Sequence, residues 1–283
     1  VGFYFLHILL QILYLVATPI GNLNDITLRA IEVLKQVDII AAEDTRHTLK
    51  LLNHLNIKKP LISYYREIEK TKSEILIKKI LEGKNIALVS DAGTPAISDP
   101  GEEIVSEAIK NNIEIHPIPG ACAFVNALIC SGLNTREFIF IGFLPTNNKE
   151  KKEKLNKLKN ENKTLIFYES PHKIKITLEN MLEIFGNRKI VLAKEISKIH
   201  EEFIRGTIDE VLEKSKEIKG EIVILIEGTK QEDEKIKFLN SLSLEEHYQY
   251  YSKQHLDKKE IIKKIAKDRS KNKNEIYQYF LNK

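Results

Sequence analysis

Four short segments of this 283-residue chain gather small and polar side chains of the kinds that hold ligands or move protons. Thr18-Pro19-Ile20-Gly21-Asn22 is one, and Glu43-Asp44-Thr45-Arg46-His47 is a second. Ser90-Asp91-Ala92-Gly93-Thr94-Pro95 runs on to Ser98-Asp99-Pro100-Gly101, and Pro119-Gly120-Ala121-Cys122 closes the set. Tight Gly-Thr-Pro and Pro-Gly turns let backbone groups approach a ligand closely. Glu43, Asp44, Arg46, Lys194 and Glu195 are the polar candidates for accepting a proton or stabilising a developing charge. The same residue types also serve as ion-pair partners and helix caps, the latter a natural use of Asp44 and Asp99.

What is missing weakens several other readings without excluding every nucleotide ligand. No two glycines are separated by a single residue, so there is no GxGxxG, and GxxxxGK[ST] is absent too. Cys122 and Cys130 are the two cysteines, in an apolar run, and neither a CxxC nor an HExxH spacing occurs. A disulfide framework and a zinc site are therefore not expected, and a reduced, cytoplasmic location is. The apolar run from Phe3 to Ala17 has no basic flank and falls short of the ~20 residues that span a bilayer, which argues against a signal peptide or an anchor. Residues 1–11 read as an extension outside the folded domain.

The segments must be positioned by the elements around them. Apolar runs at 12–17, 37–42, 60–63, 86–90 and 113–116 read as strands, and helical spacing fills 27–36, 45–55, 70–82 and 102–110. Such alternation predicts a mostly parallel α/β sheet, with every candidate segment following a strand. Ligands of open parallel sheets bind beyond the carboxyl ends of the strands, so one cleft there would gather them. After the turn at 117–120, a helix over 121–130 leads to strands at 138–143, 164–168, 190–193, 199–205 and 221–227. Two of these follow each other with no helix between, which predicts antiparallel pairing and a mixed sheet. The expected organisation is an N-terminal α/β domain at 12–120, a second α+β domain at 121–228, and a basic helical tail at 229–283.

The motifs taken together are far more specific than any one of them. YLVATPIGNLNDIT (14–27), AEDTRH (42–47) and VSDAGTPAISDPG (89–101) resemble the bacterial 16S ribosomal RNA cytidine 2′-O-methyltransferases, within the tetrapyrrole (corrin/porphyrin) methylase superfamily. So do GFLP (142–145), FYESPH (167–172), and the stretch from Lys194-Glu195 through His200-Glu201-Glu202 to Arg205-Gly206-Thr207. The resemblance covers residues 13–228 and is weaker in the tail. It implies a two-domain α/β fold with S-adenosyl-L-methionine in the interdomain cleft, and a homodimer. By position, Pro19, Gly21, Asp91, Gly93 and Thr94 would face the cofactor. Ala121 and Cys122 would lie beside its methionine end, with Tyr168 and Ala193 contributed by the second domain. It further implies methylation of a cytidine ribose 2′-hydroxyl in the decoding region of 16S rRNA, within the small subunit or an assembly intermediate. At 63–69 the family's histidine-rich stretch is lacking; only Tyr64 and Glu69 fit, so no catalytic histidine is assigned there.

Two basic segments bear on the partner. Residues 149–163 hold seven lysines against three glutamates, and 253–283 hold ten Lys or Arg against four Asp or Glu, with Tyr277, Tyr279 and Phe280 interspersed. Lysines can neutralise phosphates and aromatics can stack on unpaired bases, although a solvated helix face has the same composition. The net charge of +4 decides nothing by itself. A tetrapyrrole methylase and a non-catalytic RNA-binding protein on the same fold are the alternatives; the 43–47 motif and the basic tail weigh against the first.

Overall fold

A computed structural model describes residues 11–215, 218, 220–229, 234–254 and 256–281. The first ten residues, which include most of the expected N-terminal extension, lie outside that set. Residues up to Gly228 form one compact unit and those from Thr229 a second.

The first unit holds two sheets. Strands β1 (Ile12–Val16), β2 (Ile39–Ala42), β3 (Leu61–Ser63), β4 (Ile86–Val89) and β5 (Glu114–Ile118) form a wholly parallel sheet in the order β3-β2-β4-β1-β5. Helices α1 (Leu28–Gln36), α2 (Thr45–His54), α3 (Glu69–Leu81) and α4 (Glu102–Lys110) make the crossovers. β4 is buried along its whole length, as expected of a parallel strand covered on both faces. One face of the sheet packs α1 through Ala30, Val33 and Leu34, and the other packs α3 and α4 through Leu76, Ile80 and Ile104. Thr27 starts α1 by accepting from the Ala30 amide at 3.1 Å, and Asp44 starts α2 by accepting from the Arg46 amide at 2.8 Å.

Helix α5 (Ala123–Ser131) leads to β6 (Phe138–Phe143), α6 (Asn148–Leu158), β7 (Thr164–Glu169), α7 (Ile174–Phe185), β8 (Lys189–Lys194), β9 (Glu202–Thr207), α8 (Ile208–Lys214) and β10 (Ile222–Ile226). This sheet runs β6-β7-β10-β8-β9 and is antiparallel except for β6 against β7. The antiparallel β8–β9 pair matches the sequence reading, but β9 begins three residues later than expected. The reason is local. Ser197 has φ +70° and donates its amide to the Glu201 carboxylate at 2.6 Å, closing a turn that leaves Ile199 97% exposed.

In the second unit, α9 (Glu234–Ser241), α10 (Leu244–Ser252), α11 (Lys258–Asp268) and α12 (Lys273–Tyr279) close on Leu239, Tyr251, Ile261, Ile262, Ile265 and Ile276. Reciprocal caps start α10 (Ser243 with Glu246) and α11 (Asp257 with Glu260). Buried His247 lies 3.3 Å from the Asp268 carboxylate and accepts from the Arg269 Nε at 3.2 Å. Among the described residues, no helix is long and apolar enough to cross a membrane.

Candidate functional site

Beyond the carboxyl ends of the first sheet, its loops and those of the second sheet enclose a cavity of about 600 Å³, a volume typical of small-molecule sites. Three strand-end loops are knitted together. The Thr18 amide donates to the Gly93 carbonyl at 2.8 Å and the Gly93 amide returns the bond at 3.0 Å. The Thr94 hydroxyl donates to the Ala121 carbonyl at 3.1 Å. Gly93 sits at φ +89°, where a side chain would be strained and its Cβ would come within 3.2 Å of Ile20.

Glu43, Asp91 and Asp99 line one wall of the cavity. Asp91 accepts the Asp44 amide at 2.9 Å, which fixes the loop after β2 against the loop after β4. Burial, then the Asp91 charge, raises the Glu43 carboxyl above its ordinary range. Burial, with the charge of Glu43 next, pushes Asp99 up to about 6. Two residues just before Asp99 are held off ordinary backbone geometry, with Ala96 at φ +65° and Ser98 at φ +67°.

A buried latch holds the far end of that loop. A single Glu69 oxygen accepts from the Gly101 amide at 2.7 Å, the Glu103 amide at 3.2 Å and the Tyr64 hydroxyl at 3.1 Å. Tyr64 is fully buried and in turn accepts from the Ile104 amide at 3.2 Å. Arg66 adds a bond to the Ser98 carbonyl at 3.0 Å.

The opposite wall comes from the second sheet. Tyr168 lies edge-on to Phe140 and Phe143, with centroids 5.1 and 5.5 Å away. Phe143 remains 61% exposed where it borders the cavity. Burial pushes the Tyr168 phenol and the Cys122 thiol upward, so both stay protonated at neutral pH. Glu195, at φ +50°, accepts from Lys198 and from the Glu221 amide, both at 3.0 Å. These bonds outweigh its burial and lower its pKa.

Of the residues singled out from sequence, Glu43, Asp91, Gly93, Thr94, Cys122, Tyr168 and Glu195 line this cavity. The others sit elsewhere. Asp44 is engaged as the α2 cap and pairs with the exposed Arg46 at 2.7 Å, and Lys194 pairs with Glu202 at 2.6 Å. Ala193 is buried in the apolar cluster beneath. Pro19 borders a small neighbouring pocket beside His47, and Ala121 borders an adjoining cleft with Asn22 and Asn126. Gly21 lies under Lys198, whose side chain an added Cβ would overlap. Asp99, Phe143 and Lys198 are cavity residues that the sequence reading did not assign. Among the described residues no cluster of His, Cys, Asp and Glu could hold a metal ion.

The model of the tetrapyrrole (corrin/porphyrin) methylases matches residues 12–212. The chain belongs to this family. The methylase is 51% identical over 272 residues to ribosomal RNA small subunit methyltransferase I of Halalkalibacterium halodurans, covering 95% of this chain and 94% of that protein. Its counterpart of the same name in Bacillus subtilis is 48% identical over 273 residues, with 95% and 94% covered. Among solved structures, cobalt precorrin-4 methyltransferase superposes with a TM-score of 0.56 at 18% identity, over 77% of this chain and 95% of that one. Uroporphyrin-III-C-methyltransferase from Thermus thermophilus gives 0.54 at 19% identity, over 77% and 94%. This methylase is thus an S-adenosylmethionine-dependent methyltransferase with the tetrapyrrole-methylase fold. The cavity suits that cofactor. Ile97, Ile196 and Val223 give the lining apolar surface of the kind an adenosine would need, and Glu43, Asp91 and Asp99 are carboxylates that would offset the charges of a sulfonium and an ammonium.

Proposed function

We propose that this methylase modifies the ribose 2′-oxygen of a cytidine in the decoding region of 16S ribosomal RNA, with the RNA presented in the small subunit or an assembly intermediate. The observation that carries the RNA reading is the likeness to small-subunit rRNA methyltransferases over 95% of the chain, well beyond the 12–212 match to the family at large. The site supports it, because the exposed Phe143 ring offers a face on which an unstacked base can lie.

Bound in the cavity, S-adenosylmethionine supplies a methyl carbon made electrophilic by the sulfonium. The chain contributes alignment and proton handling. A ribose hydroxyl is a weak nucleophile at neutral pH, so its oxygen must be aimed along the carbon–sulfur axis as its proton departs. The cofactor would supply the methyl group and depart as the neutral thioether, and a cavity carboxylate would take the hydroxyl proton. Asp99, with a pKa near 6, matches that task best, and Glu43 stands beside it. Pro19, Gly21, Asp91, Gly93, Thr94, Ala121, Cys122, Tyr168 and Ala193 are assigned to the cofactor's surroundings, some by contact and some through the loops they shape. Arg46 and Lys194, already paired, act at most at the periphery.

The test is transfer of labelled methyl from the cofactor to small subunits purified from a methylase-deficient strain, with uroporphyrinogen and precorrins as competing acceptors. Label in 16S RNA alone is the expected result. Label in a tetrapyrrole overturns the reading.

A further inference from the structure

We infer that the outer face of α6 forms a phosphate-binding strip that guides the substrate RNA into the cavity, an inference that rests on the RNA reading above. The placement comes first. β6 ends at Phe143 on the cavity border, and α6 begins five residues later, capped by Asn147, which accepts the Lys149 amide at 2.9 Å. α7 follows the cavity-lining segment Glu169-Ser170-Pro171. Both helices therefore leave from the same stretch of cavity wall, and Lys173 joins them by donating to Thr146 at 3.2 Å.

The helix is fixed rigidly to that wall. Lys151 is 2% exposed, and its ammonium donates to Thr177 at 2.7 Å and lies 3.5 Å from the Glu169 carboxylate. Thr177 donates to the same Glu169 oxygen at 2.6 Å, and the other Glu169 oxygen accepts the Ser170 amide at 2.8 Å. A buried ion pair is costly unless its geometry is fully satisfied, and this one is satisfied by residues from α6, α7 and the cavity rim. Asn180 donates to Asn148 at 2.7 Å, and Lys152 meets Glu183 at 2.6 Å.

What remains outward is cationic. With Lys151 and Lys152 engaged, α6 and its end still present Lys149, Lys154, Lys157 and Lys159 to solvent, and none has an acidic partner within ion-pair distance among the described residues. Only Glu150 and Glu153 interrupt them. Glu150–Lys154 and Glu153–Lys157 have the i, i+4 spacing of helix ion pairs, yet neither pair closes to ion-pair distance, whereas Lys175 and Glu179 on α7 do at 4.0 Å. Lysines left unpaired on a helix braced against a cavity suit a polyanion whose reacting residue enters that cavity.

The experiment compares wild type with K149E/K154E/K157E and with K149Q/K154Q/K157Q, using methylase-deficient small subunits as the acceptor. Calorimetric affinity for S-adenosylmethionine and the melting temperature should match wild type in both variants. KM for the subunit should rise at least tenfold in the reversal variant and several-fold in the neutral one. The slope of log affinity against log salt should flatten by about two to three, because each phosphate that a lysine neutralises adds a little under one to that slope. An unchanged KM, or a raised KM with an unchanged salt slope, overturns the strip. Failure of wild type itself to methylate the subunit would instead sink the RNA reading on which the strip depends.

Discussion

At the residue scale the cavity is governed by Asp99. From sequence it stood in a candidate ligand loop and could equally have capped the next helix, but α4 has Gly101 at its cap position with no side-chain cap bond. What sets it apart is burial beside Glu43, which is a property of the folded loop. Its pKa near 6 makes a signed prediction. The neutral form is favoured by burial in the free protein, and a cationic ligand favours the ionised form. Affinity for S-adenosylmethionine should therefore rise several-fold from about pH 5 to about pH 7.5, with its midpoint near 6. S-adenosylhomocysteine, lacking the sulfonium charge, should show a smaller rise, and Asp99→Asn should lose the step. Calorimetry across that range checks it, and equal pH profiles for the two ligands would remove Asp99 from the cofactor's charge.

At the scale of elements, the parallel sheet was legible and much of the helical layer was not. The strands of both sheets were all anticipated, since short β-branched runs between turn residues leave little ambiguity. Helices α6 to α10 were not assigned. In α7 the dense apolar pattern Ile174, Ile176, Leu178, Met181, Leu182, Ile184 blurs the helical period, and β-branched residues mimic a strand. The Thr207–Glu210 and Ser243–Glu246 pairs were readable start signals for α8 and α10. The Tyr64–Glu69 latch was visible only as two residues that kept the family's spacing, since its partners Gly101 and Glu103 lie more than thirty positions away. Its role is to hold the loop bearing Asp99. Removing the carboxylate leaves the buried Gly101 amide and the half-buried Glu103 amide without their acceptor, a loss of about 1–3 kcal/mol. Glu69→Ala should lower the melting temperature by several degrees and weaken cofactor binding at least tenfold at temperatures where it stays folded. Glu69→Gln, which keeps an acceptor oxygen, should recover most of both. A stability loss with unchanged cofactor affinity would reduce the latch to a structural bond.

For the whole molecule, the break at Gly228 separates a unit that contains every cavity residue from a second unit with its own core. Truncation after Gly228 should therefore leave S-adenosylmethionine affinity within about twofold. The segment removed carries the larger basic cluster, so methylation of the small subunit should fall and its salt dependence should become shallower. Equal activity and equal salt slopes for the two proteins would make the tail a solvated appendage. The sequence division at 120 rests on a turn between strand and helix, and expressing 12–120 alone would test whether the first sheet folds without the second.

Nucleoside mass spectrometry locates the transferred methyl group. Methylase-deficient small subunits are incubated with the protein and labelled cofactor, and the 16S RNA is digested to nucleosides and to mapped oligonucleotides. One new methyl group is expected, on the ribose of a cytidine in the decoding region, seen as a mass gain that stays with the sugar when the glycosidic bond is broken. A gain that stays with the base, or a methyl group outside the decoding region, would contradict the proposed function.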